Sequence, residues 1–241
     1  MFSALCPGLR AAPCRFFRRL SSSTGSASPP LFLVKPNGTT FVFGYGSLIW
    51  KAPPFDLESE PGYIKGFVRR FAQASHDHRG TPAHPGRVVT LVTEQDWEAH
   101  RKDDPLGSHH VWGRIYCIPP SRSVEIWAYL DHREKDGYTL RTVDVYGVDE
   151  KGDEVVVEKN ARVYVGETTN PSFAGGEPLA TLADRIAHTV GPSGPNKEYL
   201  YNLCTAVRQL CPASEDQYLK ELERRVRERD PEARNGTPEG L

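Results

Sequence analysis

The sequence predicts an α+β fold in which a closed or strongly curved β-sheet has helices packed outside it. Strand-like segments fill the region from about residue 41 to residue 165, with one helical segment inside the run, and helical segments follow. Strict alternation of strands and helices is absent, which disfavours a Rossmann-type parallel sheet. The 241 residues suit one domain with tails.

Six segments have the composition or the alternating pattern of strands. Residues 111–118 alternate between apolar positions and larger or polar ones, which is typical of a half-buried strand. Gly66 interrupts the second segment. The predicted strands cover residues 41–45, 63–72, 88–92, 111–118, 138–146 and 154–165.

Four segments are predicted to be helical. The first lies between strands and follows a pair of prolines, and the other three carry apolar residues at helical spacing, such as Leu179, Leu182 and Ile186. The predicted helices cover residues 121–133, 179–190, 198–210 and 215–229.

The two ends of the chain differ from the middle, which predicts a folded domain at residues 37–230 between two tails. Residues 1–36 are rich in serine and contain four arginines before Pro29, whereas the first acidic residue is Asp56. This composition is typical of a mitochondrial transit peptide. A disordered tail without a targeting role is the alternative interpretation. Residues 231–241 lack an apolar period and are predicted to be disordered.

The overall composition excludes several classes of partner. Thirty basic residues balance 31 acidic ones, so the chain lacks the basic patch expected of a nucleic-acid-binding protein. No apolar run approaches the roughly 20 residues that span a bilayer. We therefore expect neither a nucleic-acid partner nor a membrane partner. The oligomeric state is not set by the sequence, and a monomer is the favoured interpretation.

A glycine-rich segment at residues 43–48 is a candidate anion site. Gly44 and Gly46 flank Tyr45 where the first strand ends, and glycine lets a ligand approach the main chain closely. The third glycine of a dinucleotide-binding fingerprint is absent, and no Lys-Ser or Lys-Thr pair follows. A site for a carboxylate or an oxyanion remains, with an ordinary turn at the end of a strand as the alternative.

A charged cluster at residues 129–138 lies where a helix ends and a strand begins. It contains Glu134, and Glu125 lies nine residues earlier. On one continuous helix these carboxylates are half a turn out of phase and about 13 Å apart along the axis. We therefore expect a single catalytic carboxylate rather than a pair, unless the helix breaks before Glu134.

A metal site is not expected. His76 and His78 flank Asp77, but no third ligand follows at a recognisable spacing. The five cysteines form no Cys-x-x-Cys pair, which excludes a zinc knuckle. These spacings therefore predict no metal site.

Taken together, the segments resemble the ChaC family of glutathione-specific γ-glutamylcyclotransferases. The resemblance extends in order over about residues 40–228 and is carried by residues 43–50, 77–80, 85–91, 111–113, 129–135, 191–194 and 198–200. It implies a small β-barrel surrounded by helices, in agreement with the α+β prediction. It also implies glutathione as the substrate, with no cofactor.

The resemblance further implies a reaction and its residues. The α-amino nitrogen of the γ-glutamyl group attacks its own γ-carbonyl carbon, giving 5-oxoproline and Cys-Gly, and Glu134 is implied as the proton acceptor and donor. The implied substrate-binding residues are Val42, Phe43, Gly44, Tyr45, Gly46, Ser47 and Tyr199. Two alternatives remain open: a cyclotransferase for other γ-glutamyl peptides or amines, and a γ-glutamyl-binding module without catalysis. An acid at position 134 favours the enzyme.

Overall fold

The structure is a computed structural model that describes residues 37–104, 110–134, 137–149, 151–212 and 214–230. The strands are β1 (Thr40–Gly44), β2 (Ser59–Lys65), β3 (Phe67–Ser75), β4 (Gly86–Thr93), β5 (His110–Ile118), β6 (Thr139–Val148), β7 (Glu154–Val165), β8 (Val190–Gly191) and β9 (Gly194–Pro195). The helices are α1 (Glu94–His100), α2 (Ser123–Arg133), α3 (Leu179–His188), α4 (Asn196–Leu210) and α5 (Gln217–Arg229). The predicted N-terminal extension and C-terminal tail lie outside the described residues, and both remain predictions.

Five strands close into a barrel in the order β1-β5-β2-β6-β7. Neighbouring strands are antiparallel except where β1 meets β7, and this parallel contact pairs Val42 with Arg162. Closure leaves the barrel without an exposed strand edge. The predicted α+β fold with a small barrel is confirmed.

The segment predicted as one strand at 63–72 belongs to two separate sheets. Gly66 adopts a φ of 77°, which favours glycine, and it lies between β2 and β3. The chain therefore turns there, so that β2 stays in the barrel while β3 pairs with β4 in a two-stranded sheet. The sequence pattern shows the interruption at Gly66, but it does not show that the strands before and after it pair in different sheets.

Three helices cover the barrel through a shared apolar core. The stripes of α3, α4 and α5 pack with barrel residues in one cluster, which includes Phe43, Ile115, Leu182, Leu203 and Leu222. These five side chains are almost completely buried, and burial of such side chains is the main source of stability. No helix of the described residues is long and apolar enough to cross a membrane.

Two elements were not predicted. The short helix α1 begins after Thr93, whose hydroxyl accepts a hydrogen bond from the Asp96 N–H. The β8–β9 hairpin lies immediately before α4. Both are short, and short elements give weak periodic signals.

Candidate active site

One cavity of about 300 Å³ lies where the end of β1, the sheet of β3 and β4, the end of α2 and the start of α4 meet. Its size is at the lower end of the range for small-molecule sites, roughly 300–1,000 Å³. Its lining includes Glu134, whose carboxylate can act as a general base near the glycine-rich turn, together with several tyrosines and three serines. The cavity is therefore the candidate active site.

The glycine-rich turn forms one wall of the cavity. Neither of its two glycine positions has room for a side chain. A Cβ at Gly44 would lie 2.5 Å from the Leu48 Cβ, and a Cβ at Gly46 would lie 3.1 Å from the Tyr199 hydroxyl oxygen. A short 3-10 turn, Ser47–Ile49, begins directly afterwards. Among the described residues no acceptor is found for the N–H groups of Gly46 and Ser47, so both remain available to an anionic ligand atom.

Glu134 is positioned by the end of α2. Its backbone N–H donates to the Leu130 carbonyl oxygen at 2.9 Å and thereby closes the last turn of the helix. Its carboxylate lines the cavity, and 19% of its side chain is exposed. Glu125, at the other end of α2, has 60% of its side chain exposed and pairs with Arg122. Only one of the two carboxylates therefore reaches the cavity, as the helical phase predicts.

Two buried tyrosine hydroxyls lie near the Glu134 carboxylate. Burial, and next the negative charge of Glu134, raise the pKa of the Tyr45 hydroxyl well above its usual value. The same two causes, in the same order, raise the pKa of Tyr199. Both hydroxyls therefore remain protonated at neutral pH and can donate hydrogen bonds to a substrate.

Arg133 connects the glycine-rich turn to Glu134. Its Nη2 donates to the Ser47 Oγ at 2.8 Å, and its Nη1 donates to the Lys51 carbonyl oxygen at 2.9 Å. Its Nε lies 3.5 Å from Oε1 of Glu134. Arg133 is therefore a positioning residue that holds the turn and the carboxylate in one arrangement.

Residues of the β3–β4 connection and of the β8–β9 hairpin line another part of the cavity. The His78 Nδ1 lies 3.1 Å from the Ser193 Oγ, and the Ser193 N–H donates to the His78 carbonyl oxygen at 2.9 Å. Arg79 donates to the Pro195 carbonyl oxygen and to Glu198, at 2.9 and 3.2 Å. This wall adds cationic and hydroxyl groups to the cavity.

Most of the predicted site residues line the cavity. They are Phe43, Gly44, Tyr45, Gly46, Ser47, Glu134 and Tyr199. Val42 is not among the lining residues, and its side chain packs in a second apolar cluster that includes Leu48 and Tyr116. That Val42 contacts a substrate stays a prediction.

The two histidines considered as metal ligands are not part of a metal-binding cluster. Among the described residues no group of three histidine, cysteine, aspartate or glutamate side chains is close enough to hold an ion. His78 instead contacts Ser193. That the protein needs neither metal nor cofactor remains a prediction.

Sequence reasoning missed several lining residues, among them Arg133, Gln73 and Tyr164. Tyr164 donates from its hydroxyl to the Asp131 Oδ1 at 2.6 Å, which ties β7 to α2 at the cavity. For Arg133, the only signal was its place beside Glu134 in the charged cluster. Gln73 gave no signal, since a lone glutamine in a strand has no distinctive spacing.

The fold and the site define a small-barrel protein whose cavity combines one carboxylate with buried tyrosine hydroxyls and a glycine-rich turn. The model of the family described as "ChaC-like protein" matches residues 40–229. The chain therefore belongs to the ChaC-like family, as the sequence resemblance predicts.

Curated relatives match over most of their length. The chain is 41% identical over 196 residues to the glutathione-specific γ-glutamylcyclotransferase of Schizosaccharomyces pombe, a match that covers 80% of this chain and 95% of that protein. It is 37% identical to the Saccharomyces cerevisiae protein of the same name, with 74% and 89% covered. A crystal structure of the γ-glutamylcyclotransferase specific to glutathione from yeast superposes with a TM-score of 0.69 at 33% identity, covering 81% of this chain and 99% of that one.

Proposed function

We propose that this protein is a glutathione-specific γ-glutamylcyclotransferase, which converts glutathione to 5-oxoproline and Cys-Gly. The observation that carries the proposal is the Glu134 carboxylate, which shares one cavity with the glycine-rich turn and two protonated tyrosines. The names of the fungal relatives support the choice of substrate.

The chemistry needs one proton carrier and a folded substrate. The α-ammonium first gives a proton to Glu134, and the free amine then attacks the γ-carbonyl carbon and closes a five-membered ring. The bond from that carbon to the cysteine nitrogen breaks, and the leaving nitrogen takes that proton from Glu134. The ring nitrogen, which became positively charged on attack, then gives its second proton to Glu134, which passes it to the released amine of Cys-Gly. No proton is gained or lost overall, so one carboxylate is sufficient.

The remaining groups of the site have complementary roles. As the carbonyl carbon becomes tetrahedral, negative charge develops on its oxygen, and donors fixed in advance stabilise that charge. The N–H groups of Gly46 and Ser47 and the Tyr45 and Tyr199 hydroxyls are such donors. We assign to the glycine-rich turn the binding of the α-carboxylate and of the developing oxyanion. Arg133 holds this turn beside the base.

The full-length purified protein is expected to produce 5-oxoproline and Cys-Gly in equal amounts from glutathione. Chromatography of the reaction mixture measures both products. Release of glutamate together with Cys-Gly would indicate hydrolysis and would contradict the proposal.

The protein is also expected to act more slowly on γ-glutamyl-amino acids and γ-glutamyl-amines than on glutathione. Faster turnover of these compounds than of glutathione would favour the alternative substrates.

The same assay with a chelator tests the need for a metal. We expect the rate to stay unchanged, because the reaction requires only proton transfer and orientation. A loss of activity that a divalent ion restores would show that a ligand set exists and would return His76 and His78 to consideration.

We also propose that residues 1–36 direct the protein to mitochondria. The support is compositional: four arginines, many serines and no acidic residue. Fused to a fluorescent protein, this segment is expected to give a mitochondrial signal, whereas a variant with Arg10, Arg15, Arg18 and Arg19 changed to glutamine is expected to stay diffuse. A diffuse signal from the unchanged segment would refute the targeting role.

A further inference from the structure

An arginine in the cavity wall keeps two donors that no group of the described residues uses. Arg79 lines the cavity, and 15% of its side chain is exposed. Of its guanidinium nitrogens, only Nη1 has a partner among the described residues: it donates to the Pro195 carbonyl oxygen and to the Glu198 Oε2. The other two nitrogens, Nε and Nη2, are accessible rather than enclosed in the core. This open donor pair of Arg79 is therefore available to a ligand.

The Nε and Nη2 of an arginine lie side by side and fit a carboxylate. The protein uses the same two atoms in this way elsewhere. Arg141 donates from Nε and Nη2 to the Glu167 Oε1, at 2.8 and 2.6 Å. Arg185 donates from the same two atoms to the Glu177 Oε1, at 3.2 and 3.1 Å. The ligand group that the open donor pair of Arg79 fits best is therefore a carboxylate.

The guanidinium of Arg79 is held in place by the protein itself. Its backbone N–H donates to the Ser75 Oγ at 2.9 Å, and Nη1 is fixed by the Pro195 carbonyl oxygen. The pair with Glu198 does not cancel the charge toward the cavity, because 54% of the Glu198 side chain is exposed and water screens it. A group fixed in advance loses less conformational entropy when a ligand binds. Arg79 is therefore prepared to bind an anion.

The other cations of the lining are less suited to this role. Arg133 is already bonded to the Ser47 Oγ and to the Lys51 carbonyl oxygen. The Lys51 side chain is exposed, and its Nζ has no partner among the described residues that would fix its position. Glutathione carries two carboxylates, and the glycine-rich turn accounts for one of them. The second carboxylate therefore fits Arg79 best.

Arg79 also lies within reach of the far end of glutathione. Its anchor, Pro195, comes four residues before Tyr199, which is about 6 Å along the axis of α4. The Tyr199 hydroxyl adjoins the glycine-rich turn, because a Cβ at Gly46 would lie 3.1 Å from it. From the γ-carbonyl carbon to the glycine carboxylate, glutathione has two residues of chain, which extend to at most about 7 Å. The axial separation is within this reach.

We propose that Arg79 binds the glycine carboxylate of glutathione through Nε and Nη2 and thereby selects glutathione over shorter γ-glutamyl compounds. This assignment rests on the proposed function. A γ-glutamyl-amine has no carboxylate to offer, and a γ-glutamyl-amino acid carries its carboxylate one residue, or about 3.6 Å, too close to the reacting carbonyl. Arg79 therefore determines specificity and takes no part in the proton transfer.

The test compares glutathione with its glycinamide analogue, γ-Glu-Cys-Gly-NH2, on the full chain. The two peptides differ only in the glycine carboxylate, and both can cyclise to 5-oxoproline, which measures kcat/KM. We expect the unchanged protein to prefer glutathione about tenfold or more, since bonds to a charged group are involved. Arg79→Met is expected to lower kcat/KM for glutathione by a similar factor, mainly through KM, and for the amide by less than about threefold.

Two outcomes of this comparison would overturn the assignment. Equal efficiency of the unchanged protein on the two peptides would do so without any variant. Equal losses for both peptides in Arg79→Met would indicate that Arg79 supports the fold or binds the α-carboxylate, which both peptides carry. If the unchanged protein forms no 5-oxoproline from glutathione, the proposed function itself fails, and this result differs from turnover without discrimination.

Two further variants separate Arg79 from its neighbours. Glu198→Gln removes the ion pair but leaves the open donor pair of Arg79 and its bond to Pro195, so the preference for glutathione is expected to persist. Loss of the preference in Glu198→Gln would show that the ion pair carries the selection and would refute the role of the open donor pair. A preference that is lost in Lys51→Met but kept in Arg79→Met would assign the carboxylate to Lys51 instead.

Discussion

Replacing Glu134 with glutamine is expected to lower the turnover of glutathione by ~10²–10⁴-fold, the range typical of a positioned general acid–base group. Glutamine has nearly the same size as glutamate, but it does not accept the ammonium proton at neutral pH. The backbone bond from residue 134 to the Leu130 carbonyl is independent of the side chain, so the end of α2 should persist. Kinetic assays of the variant, together with its melting temperature, measure both effects.

Glu125→Gln is the matched control for this substitution. It makes the same chemical change on the same helix, but the Glu125 side chain is mostly exposed and does not line the cavity. We expect turnover and melting temperature close to those of the unchanged protein. If Glu134→Gln melts normally and still turns over glutathione within a few-fold, Glu134 is not the catalytic base.

Replacing Arg69 with methionine is expected to lower the free energy of unfolding by about 3–5 kcal/mol, as when one partner of a buried ion pair is removed. The Arg69 side chain is 1% exposed, and its Nη2 donates to the Asp216 Oδ2 at 2.9 Å. Its Nη1 donates to the carbonyl oxygens of Tyr45 and Trp112, at 3.0 and 2.8 Å. The substitution therefore leaves the Asp216 carboxylate and the two carbonyl oxygens without the hydrogen bonds that Arg69 donates.

The effect of Arg69→Met should also extend to the active site, because Arg69 holds the backbone of Tyr45 in the glycine-rich turn. Denaturant unfolding followed by fluorescence measures the loss of stability. Arg224→Met is the control: Arg224 pairs with Glu221 and Glu228 on the exposed face of α5. Exposed ion pairs contribute little, so its unfolding midpoint should remain close to that of the unchanged protein. Equal midpoints for the two variants would refute a special role for Arg69.

The local elements follow from the sequence because their causes are local. The apolar stripes of α3, α4 and α5 predict helices whose bounds agree with the structure to within about two residues. The strand at 154–165 is found with those bounds in β7. In the candidate site, Gly44, Gly46 and Glu134 were predicted because a glycine-rich turn and an acid at a helix end are visible as residue types. Their chemical roles came from the family resemblance.

The partners of these elements were decided only by the tertiary structure. The barrel order β1-β5-β2-β6-β7 includes neighbours that are far apart in the chain, such as β1 and β7, and the hydrophobic period of a strand does not indicate which strand it pairs with. The same holds for the separation of β2 from β3 at Gly66, where one residue with a positive φ sends the chain into another sheet. Long-range hydrogen bonding, rather than local preference, selects these pairings.

The roles of Arg69 and Arg133 depend in the same way on contacts that no spacing encodes. A buried arginine and an arginine at a helix end are ordinary residues in a sequence. Each acquires its role from a group brought to it by folding: the Tyr45 carbonyl for Arg69 and the Ser47 hydroxyl for Arg133. The sequence by itself determined the kinds of element and the chemistry-bearing residues of this protein, because both depend on residue type and near neighbours. The tertiary structure decided which polar groups are paired and which remain for a ligand, because burial and hydrogen bonding depend on the whole chain.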